Sequence, residues 1–519
     1  MLSIIIVSYN VKPYLEKCLN SISQATLPLK KELIIIDNNS QDGTTQLIKN
    51  NFPQVILIEN QQNVGFSAAV NQGLKKAGGN YFLLINPDTI VQQNTISILV
   101  EYLKNNSDVG VVTCKILNPN GTLQPACRRS IPTPRIAFYR LIGLSHLFPQ
   151  SKTFGRYNLT YADENALTEV EAVSGSFMLF RREVYEDVGE FDADFFMYAE
   201  DLDYCCRVRQ AGWRIVYHPQ TRAVHFKGSS ARLSPYRKIF QFNYSMYLFT
   251  KKYYKLRYGF FPFWLMNGGI LINALVSLVF NFFKFTSKTV SDFILINISL
   301  SISLVIWFGY LEVSLPYQDD FVLALILHGL ASLAWIFSFN LFKLYDRPIT
   351  LLSSLGGCVS GFFIFTGALF YFRQIAFSRI AFLVTGSLIF IFKIVLEKWT
   401  IKSTTKNILI VGDQNSGQRI YQYLVQTPNE DYHILGYVEK MGGSHNGNYL
   451  GPLDDLKKII SEKKVHEILI DARTNSYQAI IDILPKIAQY PIGIKLVSEI
   501  TRKNKTVGLE KFDIVLSKN

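Results

Sequence analysis

The chain has 519 residues, too many for one hydrophobic core, so about three or four domain-sized units are expected. Its formal charge of +13 does not point to nucleic acid, because much of the excess flanks an apolar region. Lys238, Lys251, Lys252, Lys255 and Arg257 precede that region and Lys398, Lys402 and Lys406 follow it, the pattern of a cytoplasmic membrane face with anionic headgroups.

The opening MLSIIIVSYN lacks a basic n-region and a small-residue cleavage site, so it reads as a β-strand rather than a signal peptide and keeps the N-terminal domain in the cytosol. Strands are predicted at 2–7, 33–36, 55–58, 81–85 and 110–113, alternating with helical stretches. This is the signature of βαβ units around a largely parallel sheet, where ligands gather beyond the carboxyl ends of the strands. The six cysteines show neither paired zinc spacing nor a disulfide framework, and read as reduced, buried, small residues.

Each strand end carries a polar or sterically special group. The first ends Ser8-Tyr9-Asn10. The second ends at Asp37, with Asn39 and Gly43 following. A carboxylate there either accepts a pyrimidine imide or ribose hydroxyl, or makes an Asx-type turn. In the run from Asn63 to Gly73, Gly65 and the small residues after Phe66 let a helix N-terminus approach a ligand, or serve tight helix–sheet packing. Asn86-Pro87-Asp88 follows the fourth strand. Asp88 is placed to hold a hard divalent cation against a diphosphate, the alternative being a plain turn. Further on, Glu200-Asp201 follows an aromatic cluster and opens a helix running to Gly212. A carboxylate there can take a proton from an attacking hydroxyl, although acids also stabilise a first helical turn. His225 stands at a strand end, as a structural histidine or a ligand.

From about 260 to 400 the composition turns apolar. Segments 291–311, 321–341, 351–372 and 380–396 are each about long enough to span a bilayer. Segment 260–283 carries Pro262, Asn267, Gly268 and Gly269, and is expected to lie in the interface or re-enter. Lys284 and Lys288 mark a cytoplasmic connection, and Glu312, Asp319 and Asp320 an external one. That gives four spans with both soluble parts cytoplasmic; a fifth span would put them on opposite sides, and Arg373 and Arg379 fit the four-span scheme poorly. The resulting domains are 1–255, 256–400 and 401–519.

The order SYN, DNNSQDGT, NVGFSAAVNQG, NPDT, SGSFMLFRR, GEFD, FFMYAEDLDYCCRVRQAGW and H…GSS resembles the inverting family 2 glycosyltransferases over about residues 2–235. Within them it is most similar to the rhamnosyltransferase-like branch that builds bacterial surface polysaccharides. The resemblance implies a GT-A fold, a dTDP- or UDP-linked donor and a magnesium or manganese ion. It implies that Asp37 binds the base, with Ser8, Tyr9, Asn10, Asn39, Asn63, Gly65, Phe66, Asn71, Asn86 and Pro87 around the donor. Asp88 and His225 would face the metal, Asp201 would be the base beside Glu200, and Gly175, Ser176, Asp192 and Trp213 would lie toward the acceptor. Asn86 departs from the pattern, standing where many relatives carry a first aspartate.

From about 290 to 500 the chain looks similar to the N-terminal half of polyprenyl-phosphate sugar phosphotransferases, through NILIVG with Gly417, LGYVE, GPLDD and VHEILI. This implies a Rossmann-like C-terminal domain. Gln414 stands where the second glycine of a dinucleotide fingerprint belongs, which favours a structural or regulatory domain over a nucleotide site. The catalytic half of that family does not follow before Asn519. The expected function is transfer of a sugar to a lipid-linked saccharide at the inner membrane, beside a phosphoglycosyltransferase partner. The alternative is a non-catalytic scaffold or nucleotide-sensing partner.

Overall fold

The computed structural model describes residues 1–27, 29–226, 235–254, 260–310, 321–342, 344, 351–371 and 379–401. In the C-terminal part it describes 406–412, 415, 420, 432–439, 449–471, 477–487, 490, 492–497, 500–503, 506–509 and 512–514.

The chain divides into two compact units, one of Met1–Ser277 with Lys406–Thr427 and Tyr432–Asn519, the other of Leu278–Thr405 with Pro428–Asp431. The boundary expected at 255 thus moves to Ser277, and the C-terminal domain joins the first unit.

The N-terminal sheet has nine strands: β1 (Leu2–Ser8), β2 (Lys31–Asp37), β3 (Ile56–Glu59), β4 (Tyr81–Ile85), β5 (Thr89–Val91), β6 (Val109–Leu117), β7 (Thr168–Glu169), β8 (Phe177–Arg181) and β9 (Arg214–His225). Their order is β3-β2-β1-β4-β8-β6-β9-β5, with β7 on β9. Every residue of β1 and β6 is buried, as expected of strands covered on both faces, which read as unbroken Val/Ile runs rather than alternating ones. β1 to β4 pair in parallel. Beyond β4 the sheet is mixed: β6 and β9 pair in parallel, while β8 runs antiparallel to both β4 and β6 and β5 antiparallel to β9. That reversal places β5 and the carboxyl end of β9 beside the loop after β4.

Four helices concern the site: α1 (Phe66–Lys76), α2 (Pro134–Leu141), α3 (Glu200–Gln210) and α4 (Pro235–Tyr254).

In the C-terminal domain β10 (Lys406–Val411), β11 (Tyr432–Glu439), β12 (Tyr449–Pro452), β13 (Glu467–Asp471) and β14 (Gly493–Val497) pair in parallel in the order β12-β11-β10-β13-β14. In chain order this is 3-2-1-4-5, the Rossmann arrangement. Gln414 and Gly417 lie outside the described residues. The helix Tyr477–Ile487 packs against β5 and β9 of the first sheet. Ile90, Leu117, Val224 and Phe226 share one buried cluster with Ile480 and Leu484, and Gln92 Nε2 donates to Asp482 Oδ1 at 3.0 Å.

The apolar region holds α5 (Phe260–Tyr310), α6 (Phe321–Leu341), α7 (Leu351–Tyr371) and α8 (Arg379–Ile401). Segment 260–283 is not a separate interfacial element: α5 is one helix of 51 residues. Nothing between 283 and 291 breaks it, and the lysines there are good helix formers. Among the described residues two helices are long and apolar enough to cross a membrane, Thr289–Tyr310 and Val322–Leu341. The apolar stretches Leu352–Gly367, within α7, and Ile380–Val395, within α8, are shorter. The expected four spans are therefore corrected to two. The connections 311–320 and 372–378 lie outside the described residues. Lys393 Nζ and Asp292 pair at 2.9 Å with both side chains largely buried, tying α8 to α5.

Candidate active site

β1 and β2 lie in register so that Ser8 sits beside Asp37 at their carboxyl ends. Asp37 is buried, which raises its carboxyl above the usual range. It accepts the Ser40 N–H at 2.8 Å on Oδ1 and the Ser40 hydroxyl at 2.6 Å on Oδ2. The turn reading of Asp37 is thus realised, with the buried Ser8 hydroxyl beside it lacking a hydrogen-bond partner among the described residues. Asn10 and Asn39 both take left-handed backbone, at φ 53° and 67°. Asn10 Oδ1 accepts the Gln41 N–H at 2.7 Å, and Asn39 Oδ1 accepts from Gln41 Nε2 at 2.9 Å. These contacts zip the loops after β1 and β2 into one rim, with Tyr9 half-buried beside it.

The run Asn63–Gly73 resolves toward packing. Gly65 has φ 88°, and a Cβ there would come within 2.9 Å of the Phe196 backbone oxygen. Phe66 N–H donates to Phe196 O at 2.7 Å, and Ser67 Oγ to Phe195 O at 2.7 Å. Asn71 exchanges two hydrogen bonds with the Phe191 backbone, at 2.8 and 2.9 Å. Asn63 Oδ1 accepts the Gly65 N–H at 3.0 Å. Asn71 thus holds the 191–196 loop, while Asn63 caps the Gly65 N–H and accepts from Asn38 Nδ2 at 3.3 Å. Through Asn71, Phe66 and Ser67, α1 clamps the segment that leads to Glu200 and Asp201.

The loop after β4 brings Asn86, the buried Pro87 and Asp88 against the end of β9. Asp88 Oδ1 lies 3.1 Å from His225 Nε2, and both residues are buried. Asn86 Nδ2 is 3.3 Å from the same nitrogen. Gln124 Oε1, 3.0 Å from His225 Nδ1, orients the ring from its other side. An imidazole whose second nitrogen is held in this way has its tautomer and direction set.

Asp201 completes the arrangement. Its Oδ2 accepts from Arg129 Nη2 at 2.7 Å and from the Gly175 N–H at 3.1 Å, and its Oδ1 from its own neighbour's Leu202 N–H at 2.8 Å. A Cβ on Gly175 would stand 3.6 Å from Asp201 Cβ and 3.8 Å from the Phe66 ring, so these three groups converge. Ser176, next in line, accepts the Asn86 N–H at 3.1 Å on its carbonyl. The segment 174–176 therefore links Asp201 to the loop that carries Asp88. Glu200 is buried beside Asp201, and burial with its neighbour's repulsion raises its carboxyl to about 8. Its Oε2 has no hydrogen-bond partner among the described residues. The two residues before it, Tyr198 and Ala199, both hold positive φ, 72° and 64°. Paired strain of this kind persists only where surrounding structure fixes it, and it clusters at functional sites.

Two expected acceptor-side residues are not brought to the site. Trp213 stands at the amino end of β9, where Val109 pairs with Arg214, and its indole donates to Asp187 at 2.9 Å. The twelve residues of β9 separate it from His225. Asp192 is tied to Lys252 at 2.5 Å, which also meets Asp203 at 2.6 Å. Arg129 and Gln124 went unread in the sequence. The adjacent pair Arg128-Arg129 inside a soluble domain was their one visible signal.

Residues 3–189 match the family described as "Glycosyl transferase family 2", and residues 342–498 match "CoA-binding domain". The chain is 28% identical over 260 residues to an N-acetylglucosaminyl-diphospho-decaprenol L-rhamnosyltransferase of Mycobacterium tuberculosis, covering 48% of this chain and 83% of that one. It is 30% identical over 222 residues to a poly-beta-1,6-N-acetyl-D-glucosamine synthase of Staphylococcus aureus, covering 42% of this chain and 48% of that one. Among solved structures, S. aureus TarS matches at 19% identity and a TM-score of 0.34, covering 48% of this chain and 39% of that one. A mannosyltransferase of Pyrobaculum calidifontis in complex with GDP-Man and Mn2+ matches at 19% identity and 0.36, covering 54% and 74%. Residues 3–189, which carry most of the N-terminal sheet, thus resemble a family 2 glycosyltransferase domain.

Proposed function

We propose that this chain, a glycosyltransferase, moves a sugar with inversion from a dTDP- or UDP-linked donor to a lipid-linked saccharide during synthesis of a bacterial surface polysaccharide. The observation that carries the reading is the pairing of a fixed carboxylate, Asp201 under Arg129 and the Gly175 amide, with Asp88–His225 across the 174–176 segment. Donor base and ribose lie along the rim formed by Ser8, Asp37 and Asn39. The acceptor hydroxyl approaches Asp201, which takes its proton while the hydroxyl oxygen bonds to the anomeric carbon. The bond to the diphosphate oxygen breaks with its electron pair, and the configuration inverts.

A divalent ion, Mg2+ or Mn2+, fits the donor set. Asp88 and His225 would hold it, and among the described residues no group of three or more His, Cys, Asp or Glu gathers for tighter capture. Magnesium is commonly bound by one or two carboxylates together with substrate phosphates, which suits so small a protein contribution. When bound, the ion neutralises charge on the departing diphosphate.

Membrane attachment through the apolar helices would hold the domain at the inner membrane's cytoplasmic face, beside a phosphoglycosyltransferase that supplies the lipid-linked acceptor. The test is nucleoside diphosphate release by the full chain from a panel of sugar nucleotides, with and without metal and acceptor. Asp201→Asn is expected to lose about 10² to 10⁴ in turnover with donor affinity kept, and Asp88→Ala to lose metal dependence and donor affinity together. Near-normal turnover by Asp201→Asn would sink the assignment.

A further inference from the structure

Between α2, α4 and the start of α5 lies a cavity of about 360 Å³, within the size of small-molecule sites, roughly 300–1,000 Å³. Its walls come from α2 and the segments around it (Ile136, Ala137, Tyr157), from α4 (Met246, Thr250) and from α5 (Ile270). Phe138 and Phe242 also line it and are themselves 41% and 39% exposed, so they stand at its mouth. Arg140 and His146 are the cationic or titratable groups in this lining, and the Arg140 guanidinium stacks 4.7 Å over the Tyr157 ring.

Three observations say what enters. First, the surface around the mouth is apolar and aromatic: Phe240, Tyr244 and Tyr247 make an exposed stripe at helical spacing on α4, and Ile142, Leu147 and Phe148 stand exposed after α2. A soluble monomer rarely leaves such a patch in water, whereas a helix lying in a headgroup layer presents one. Second, the lining continues into α5, whose Leu271, Ile272 and Leu275 are exposed and whose later part is long and apolar enough to cross a bilayer. Third, the wall is hydrogen-bonded to the two segments that carry Arg129 and the Glu200–Asp201 pair. The Tyr157 carbonyl accepts the N–H of Ser130, next to Arg129, and Ser245 of α4 donates to the Met197 carbonyl just before Glu200.

We propose that this cavity receives the first isoprene units of a polyprenyl diphosphate acceptor, with Arg140 and His146 meeting its diphosphate. The inference rests on the transferase reading and adds to it the lipid's place. An apolar channel opening toward the bilayer takes the chain, two basic groups at its side take the anion, and the attached saccharide then extends toward Asp201.

The full chain in nanodiscs is given two acceptors with the same saccharide diphosphate, one on undecaprenol and one capped with a methyl group. Ala137→Trp and Met246→Trp, which fill the cavity, are expected to raise KM for the undecaprenyl acceptor by roughly tenfold or more, equivalent to about 1.4 kcal/mol, and to leave the methyl-capped one unchanged. Equal effects on both, or none on either, overturn the proposal. A sugar-free benzophenone-geranyl diphosphate probe supplies the independent readout. Labelling within 132–146 or 240–250, displaced by undecaprenyl diphosphate but not by phosphatidylglycerol, supports the site even if no transfer is ever detected, in which case only the transferase reading falls. Labelling confined elsewhere, or displaced equally by phosphatidylglycerol, overturns it.

Discussion

Glu200 and Asp201 are sequence neighbours with opposite surroundings. Asp201 is surrounded by donors, while Glu200 is buried with an oxygen lacking a partner and its carboxyl raised to about 8 by burial and by Asp201. Between the ordinary carboxylate range and about 8 the folded chain keeps a proton that the unfolded chain has lost. Stability contributed there falls as pH rises through that window. The thermal midpoint of the full chain is expected to drop between about pH 5 and about pH 8, and Glu200→Gln to flatten the drop; equal slopes in both proteins would remove Glu200 from the account. At this scale the sequence singles out the acidic pair, Asp88 and His225 by their places at strand ends and a helix start, and the structure sets Asp88 and His225 side by side. Arg129 and Gln124 were not legible, since their meaning comes from partners 72 and 101 positions away.

Among the elements, α1 shows where a motif's local reading and its tertiary role part. Small residues after Gly65 suit a phosphate-cradling helix and a tightly packed one equally well, and only the position of Phe195 and Phe196 decides for packing. Gly65→Ala combines a left-handed backbone with a 2.9 Å approach to a carbonyl. It is expected to cost about 1–3 kcal/mol and, by freeing the 191–200 loop, to lower turnover more than donor affinity. Denaturation midpoints and isothermal donor titration read the two effects separately; an unchanged turnover would mean α1 does not position the base. Strand positions were mostly readable from their apolar runs, but the reversal of β8 was not, as strand direction leaves no trace in composition.

At the scale of the molecule, the C-terminal domain was readable as Rossmann-like from its strand-turn pattern, whereas its contact with the transferase sheet was not. Ile90, Leu117, Val224 and Phe226 look like any strand interior, yet their partners are Ile480 and Leu484. The number of spans was overread because apolar composition alone does not separate the two longer apolar helices, Thr289–Tyr310 and Val322–Leu341, from the shorter stretches Leu352–Gly367 and Ile380–Val395. Gly121, at φ 79°, lies so close that a Cβ would run into the Leu484 backbone carbonyl. Gly121→Ala is expected to destabilise by about 1–3 kcal/mol through overpacking and to speed amide exchange at both 223–226 and 480–484, with β1 unaffected. Unaltered exchange at 223–226 would show that the two sheets stand independently.

The shared cluster also bears on how the protein can be taken apart. A fragment cut after the last apolar helix, the division that composition suggests, would expose the outer surface of the strand that ends in His225. Such a fragment would be sticky as well as smaller, and its inactivity would say nothing about sugar chemistry. A dissection that keeps residues 406 onward, joined by a short linker in place of the membrane helices, preserves that surface and makes a negative result interpretable.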